Sequence, residues 1–326
     1  VLNESVIAKL MAICPGGTRS NADLAALSRW RIGGRAALML RPSSTDQVSR
    51  LRAALHDLGL AHVVIGQTSN LLFSDLGLAV PCLQMGPWFG SQSWQGDIVT
   101  VEAGGWVPGL ARSIMQRGLT GAEHICGIPG TIGGLIVMNG GSQRRGIGES
   151  VVWVESVDSE GRIHRRNQAE CDFAYRRSHY QGANEVVTRA CLNFQPGDRQ
   201  KIRAEMLRIL GTRRRKFPRK QPNCGSVFKS NPAHYADYGP PGAIIENLGF
   251  KGRWRGDALV SPHHANFIVN TGRAQARDVL HLIREISDAV RQKTGHIMEA
   301  EVIYVAHDGS TMPADRVDFL SLEMCG

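Results

Sequence analysis

The sequence has no apolar run near the roughly 20 residues that a membrane-spanning helix needs, which argues against membrane insertion. Its 326 residues include only seven cysteines, an odd number with no Cys-x-x-Cys pair. That pattern argues against both a disulfide framework and a zinc site. Cys14, Cys82, Cys126, Cys171, Cys191, Cys224 and Cys325 therefore read as small buried apolar residues. There is no internal repeat, and the strand, Gly-x-Gly-x-x-Gly, helix signature of a Rossmann nucleotide fold is missing. Val1 to Cys14 reads as an amphipathic helix without the basic start and long apolar centre of a signal peptide. A cytoplasmic protein is the expectation.

What is abundant is positive charge. Thirty-eight Lys and Arg against 29 Asp and Glu give a net charge of +9, which suggests anionic partners. The densest run is Arg213-Arg214-Arg215-Lys216-Phe217-Pro218-Arg219-Lys220. Phe217 is its single aromatic and no nucleic-acid motif accompanies it, so a nucleic-acid partner is not expected.

The length suggests two or three compact units, and alternating helical and strand-like periods make the chain α+β. Thr45 to Leu58 has helical spacing, with Thr45 as the expected cap and Asp46 near the positive end of the dipole. Pro108 to Arg117 and Gln275 to Val290 are further helices. His62 to Ile65, Ile98 to Val101 and Val302 to Val305 read as strands. Val151 to Arg165 reads as a hairpin turning at Asp158-Ser159-Glu160-Gly161. Soft boundaries fall near Pro87–Gly96 and Gln195–Gln200, the second before a basic helix.

Gly127-Ile128-Pro129-Gly130-Thr131-Ile132-Gly133-Gly134 places four glycines and a proline in eight positions. Such a segment forms a tight loop whose bare amides can cradle an anion. A second strand-to-turn segment, Gly66-Gln67-Thr68-Ser69-Asn70-Leu71, carries small hydroxyl and amide side chains suited to phosphate oxygens. Either segment alone is equally an ordinary turn.

Further segments follow in order: Tyr175-Arg176-Arg177-Ser178, Gly225-Ser226-Val227-Phe228-Lys229, Gly249-Phe250-Lys251-Gly252, Ser261-x-x-His264-Ala265-Asn266-Phe267 and Glu299-Ala300-Glu301-Val302. With Arg31-Ile32-Gly33-Gly34 and the two loops, the chain resembles the UDP-N-acetylenolpyruvoylglucosamine reductase family from about Arg31 to about Val305. The resemblance implies a two-part FAD-binding fold of the vanillyl-alcohol-oxidase (PCMH) type plus a C-terminal α+β substrate-binding domain. The parts would be 1–88 and 89–200 for FAD and 201–305 for substrate, with 306–326 a tail of unknown role.

The implied reaction is NADPH-dependent reduction of UDP-N-acetylglucosamine enolpyruvate through FAD, in peptidoglycan precursor synthesis. FAD would supply the hydride, since no side chain can. By resemblance Arg176 and Glu301 stabilise the enolate and Ser226 is the proton donor. Glu299 and Glu301 would share a face in a strand, so geometry alone leaves that choice open and the family pattern selects Glu301. An extended stretch would also turn Arg177 away from Arg176. Cys224 reads as packing, because the reduction needs no covalent intermediate.

The resemblance assigns Gly66, Gln67, Thr68, Ser69, Asn70, Leu71, Gly127, Ile128, Pro129, Gly130, Thr131, Gly133 and Gly134 to the cofactor. It assigns Lys216, Lys229, Asn231, Lys251 and His264 to the UDP-sugar. FAD, NADPH and a UDP-sugar all carry phosphate, which gives the positive charge a further reading. Thr68 stands where the family has glycine, Leu135 where it has alanine, and Asn139-Gly140-Gly141-Ser142-Gln143-Arg144-Arg145-Gly146 departs from the family's Asn-Ala-Gly-Ala-Tyr-Gly. These departures keep open a paralogue acting on another substrate. A non-catalytic flavin or nucleic-acid binding protein is the remaining alternative.

Overall fold

The computed structural model describes residues 2–218, 220–231 and 237–318, so Arg219 and Cys325 lie outside the described residues. Its helices are α1 (Glu4–Ile13), α2 (Leu24–Leu27), α3 (Thr45–Asp57), α4 (Val107–Gln116), α5 (Ile132–Val137), α6 (Arg199–Lys216), α7 (Pro241–Asn247) and α8 (Ala276–Thr294). Each expected helix is present within a few residues of its expected ends. The cap of α3 is Ser44 rather than Thr45: the Ser44 hydroxyl accepts from the Gln47 amide at 3.2 Å, while Thr45 donates to Glu155. Adjacent hydroxyl residues are equivalent caps by composition, and the chain geometry chooses the first. Among the described residues no helix is long and apolar enough to cross a membrane.

The chain divides into two compact units. The first comprises Val1–Ser20, Leu38–Gln67 and Val80–Arg213. Its main sheet has five antiparallel strands in the order Ile163–Asn167, Val151–Val157, Val186–Asn193, Ile98–Glu102, Gln92–Gln95. The expected hairpin is its edge, with Val157 opposite Ile163. Val99 and Val101 alternate inward, as a half-buried strand requires. They share a core with Leu110 and Ile114 of α4, Ile132 and Ile136 of α5, and Ile202, Met206 and Ile209 of α6. Buried Glu155 ties this sheet to α3, accepting from Arg189 through two bonds of 2.7 and 2.6 Å and from Thr45 at 3.1 Å. These donors hold its carboxyl below the ordinary value against the effect of burial.

The second unit comprises Asn21–Ala37, Thr68–Ala79 and Arg214–Gly326. Its spine is α8, whose start is fixed when the Asp75 carboxylate accepts from the Ala276 amide at 2.8 Å. Gly295, at φ +73°, ends it in the left-handed conformation that glycine adopts without strain. The buried stripe Val279, Leu280, Leu282, Ile283, Ile286 and Val290 shares a core with Ala258, Val260 and Ile268 from the antiparallel sheet Trp254–Arg255, Ala258–Val260, Ile268–Asn270. A second sheet sets Ile303–Val305 between Thr311–Pro313, antiparallel, and Leu71–Phe73, parallel. The described part of the C-terminal stretch thus belongs to this unit's fold. Trp30 is fully buried, and its indole N–H donates to the Ile268 carbonyl at 2.8 Å.

Candidate functional site

In the first unit two loops meet. The strand Val63–Ile65 pairs in parallel with Leu78–Gln84 and delivers Gly66. A Cβ on Gly66 would lie 2.3 Å from Thr131 Oγ1, so the approach is open only to glycine. Thr131 is buried and caps α5, accepting from the Gly134 amide at 3.4 Å. The loop is pinned from behind: Val107 N–H donates to the Gly130 carbonyl, Ile132 N–H to Gly105 and Gly133 N–H to Ala103. Gly130 sits at φ +147°. The amides of Gly66, Gln67, Gly127, Gly130 and Thr131 donate to no described residue. Uncommitted amides at close-packed glycines are what an anionic group requires.

Arg213, at the end of this unit, lies against the same loop. A Cβ on Gly127 would meet Arg213 Cδ at 2.6 Å and Nε at 2.8 Å. Burial, followed by the charge of Arg176, pushes the Arg213 pKa down, while Cys126 opposes the shift. Two cations therefore face one region of the first unit.

The stretch around Arg176 is not extended. Arg176 has φ +54°, and Ala174 and Arg177 bridge across a tight turn. The expectation that Arg177 points away because of strand alternation loses its premise. Arg177 is exposed and paired with Asp172. The Arg176 guanidinium donates to the Gly141 carbonyl at 3.4 Å and lies 5.5 Å from the centre of the exposed Tyr175 ring. Asn139 braces the turn, donating to the Ala174 carbonyl and accepting from Gly148 N–H, both at 2.9 Å.

In the second unit, Ser226 follows a turn built by Asn223, whose side-chain oxygen accepts from the Gly225 amide at 3.0 Å. Gly225 is at φ +85° with open space around it, so its glycine serves conformation rather than packing. The half-buried Ser226 hydroxyl has no hydrogen-bond partner among the described residues. The next residues pair with the C-terminal acidic segment: Lys229 N–H donates to Glu299 and Glu301 N–H to Val227. Ser226 and Glu301 are thus brought to neighbouring backbone positions. Glu299 pairs with Lys229 at 3.3 Å. The Asn70 carboxamide donates to the Glu301 carbonyl at 2.8 Å, and Asp315 accepts from the Ala300 amide at 3.0 Å.

His264, Lys216 and Lys251 form another group in this unit. His264 Nδ1 accepts from the Asn266 amide at 3.2 Å, and its ring packs on Phe217 and Phe267. Burial, then Lys251 and Lys216, push its pKa down, which favours the neutral ring. Lys251 also pairs with Glu246 at 2.6 Å.

Residues 36–167 match the FAD binding domain family, and residues 217–305 match the C-terminal domain of UDP-N-acetylenolpyruvoylglucosamine reductase. UDP-N-acetylenolpyruvoylglucosamine reductase 1 of Corynebacterium glutamicum is 43% identical over 298 residues, covering 91% of this chain and 89% of that protein. The chain belongs to the UDP-N-acetylenolpyruvoylglucosamine reductase family. A second relative, reductase 2 of Symbiobacterium thermophilum, is 36% identical over 90% of the chain and 94% of its own length. The crystal structure of the reductase from Thermus caldophilus matches with a TM-score of 0.73 at 28% identity, covering 88% of this chain and 97% of that one.

The paired loops of the first unit fall inside the FAD-binding match, as does the chain's onward run through Thr68–Leu71, which belongs to the second unit. Their glycines, uncommitted amides and nearby Arg213 fit a dinucleotide carrying a pyrophosphate. Ser226, Lys229, Asn231, Lys251, His264 and Glu301 fall inside the C-terminal match, and Lys216 directly precedes it. Thr68 takes the left-handed φ of +53° in place of the family's glycine. Its hydroxyl compensates, donating to the Leu27 carbonyl and accepting from the Arg29 amide, both at 3.1 Å.

Sequence reasoning missed Arg213, Asn266 and Asp315. Arg213 was hidden within a run of cations, and its partner Gly127 is remote in sequence. Asn266 was read only as part of a motif. All six described cysteines are buried and free; burial pushes the Cys224 thiol up to about 12, consistent with packing.

Proposed function

We propose that the protein reduces UDP-N-acetylglucosamine enolpyruvate to UDP-N-acetylmuramate with NADPH, in the cytoplasm, as a step of peptidoglycan precursor synthesis. The observation that carries this reading is the 43% identity to the Corynebacterium reductase over 91% of the chain. FAD, when bound, supplies the hydride. Addition of hydride to the enol ether leaves negative charge on the carboxylate-bearing side, and this chain must stabilise that charge and deliver a proton.

Arg176 suits the first task because a guanidinium stays charged and binds both oxygens of a carboxylate. Its brace by Asn139 and Gly141 limits the reorganisation needed. Glu301 shares that task, its backbone held by Val227 and Asn70. Ser226 gives the proton from a hydroxyl not committed to the protein. A serine is a weak acid, so nearby cations must lower the cost of its alkoxide. Lys216, Lys229, Asn231, Lys251 and His264 take the UDP-sugar, chiefly its phosphates. Gly66 to Leu71 and Gly127 to Gly134 hold FAD.

We further propose the functional division into FAD-binding parts 1–88 and 89–200, a substrate-binding part 201–305 and the remainder 306–326. The positive charge serves these phosphates rather than a nucleic acid. Incubation of the FAD-loaded protein with NADPH and the enolpyruvate, followed by mass spectrometry, should yield UDP-N-acetylmuramate. NADPH consumption without that product would favour a second reading, a different acceptor. That reading draws support from the divergent 139–146 loop, which contacts Arg176.

A further inference from the structure

A concavity of about 500 Å³ opens in the first unit, lined by Arg112, Met115, Gln116, Arg199, Gln200 and Arg203. Three belong to α4 and three to the first turns of α6. Their spacing brings them together: Arg112, Met115 and Gln116 lie at i, i+3 and i+4 on one helix face, and Arg199 and Arg203 at i and i+4 on the other. None of the three arginines makes an ion pair or side-chain hydrogen bond to a described residue. The acid nearest in sequence, Asp198, is committed to the helix start, accepting from the Gln200 and Lys201 amides at 2.8 and 3.2 Å.

Three exposed arginines line this concavity and no carboxylate lines it with them. The loops and motifs assigned above to FAD and the UDP-sugar contribute none of the lining residues. We propose that this groove is a second anion site that binds a phosphate-bearing small molecule of nucleotide size. The planar forks of Arg112, Arg199 and Arg203 match phosphate oxygens two at a time, and Gln116 and Gln200 add neutral donors. The half-buried Met115 forms a deformable apolar floor suited to a base or sugar face. The volume falls within the range of small-molecule sites. A large polyanion needs an extended basic track, whereas these three arginines line one concavity.

Calorimetric titration of the FAD-loaded protein with inorganic pyrophosphate and, separately, with ADP tests the proposal. Wild type should bind at least one of them, with affinity falling as salt rises. Tighter binding of ADP identifies a nucleotide site, and equal binding a site for the phosphates alone. Arg112→Gln and Arg203→Gln should each weaken binding about tenfold, the loss expected for one charge-assisted contact. The flavin spectrum and turnover should stay unchanged. No binding by wild type at millimolar ligand, or binding equally tight in both variants, would overturn the proposal.

Discussion

Asn266 grips the backbone of Phe228 from both sides: its side-chain oxygen accepts from the Phe228 amide and its Nδ2 donates to the Phe228 carbonyl, each at 2.9 Å. Both residues are buried. The Asn266 carbonyl also accepts from Val227 N–H, so one asparagine sets the path of the chain leaving Ser226. Asn266→Ala leaves an N–H and a C=O without partners, a cost of about 2–5 kcal/mol. Chemical denaturation should show that loss. Reoxidation of the reduced enzyme by substrate should also slow, because Ser226 loses its anchor. A variant as stable and as fast as wild type would refute the clamp.

Thr68 holds a backbone conformation that costs a β-branched residue on the order of 1–3 kcal/mol, offset by two hydroxyl hydrogen bonds of about 1 kcal/mol each. Thr68→Gly removes the strain and the bonds together, and its melting temperature should stay close to wild type. Thr68→Val keeps the strain and loses the bonds, and should destabilise by about 2–3 kcal/mol. Equal stability of the two variants would contradict this balance.

Ser226→Ala should leave reduction of the flavin by NADPH intact while slowing reoxidation by the enolpyruvate at least about a hundredfold, the usual scale of a proton donor. Arg176→Lys should slow the same half-reaction, because an ammonium cannot reproduce the bidentate fork. Rapid-mixing kinetics separates the steps. Equal slowing of both half-reactions by Ser226→Ala would remove the proton-donor role, and normal reoxidation in Arg176→Lys would remove that of the guanidinium.

His62 accepts at Nε2 from Arg52 Nη1 at 2.5 Å. Burial, and then the charge of Arg52, lower its pKa from 6.5 to about 4. The unfolded chain therefore binds the extra proton first. Its contribution to stability is complete above pH 6.5 and is lost as pH falls from there through about 4. His62→Gln keeps an acceptor for Arg52 without titrating. The difference in unfolding free energy between wild type and variant should change across that window, and a constant difference would contradict the assignment.

Helices and hairpins with strong periodicity were legible in the sequence because burial imposes that period: α3, α8 and the Val151 hairpin fall close to their expected spans. The family motifs pointed to Arg176, Ser226 and Glu301, yet the local geometry around them was not legible. Arg176 lies in a left-handed turn although an arginine carries no bias toward one. Asn70, assigned by its type to phosphate, donates to a backbone carbonyl of the acidic segment. Arg213 is set apart from its basic neighbours by facing Gly127, a distinction created by packing between residues far apart in the chain.

The most direct test is an anaerobic visible spectrum of the FAD-loaded protein, recorded after NADPH and again after UDP-N-acetylglucosamine enolpyruvate. The flavin absorbance should bleach with NADPH and return with the enolpyruvate. Bleaching without return would contradict the proposed acceptor, and a protein that takes up no FAD would contradict the reading of both loops.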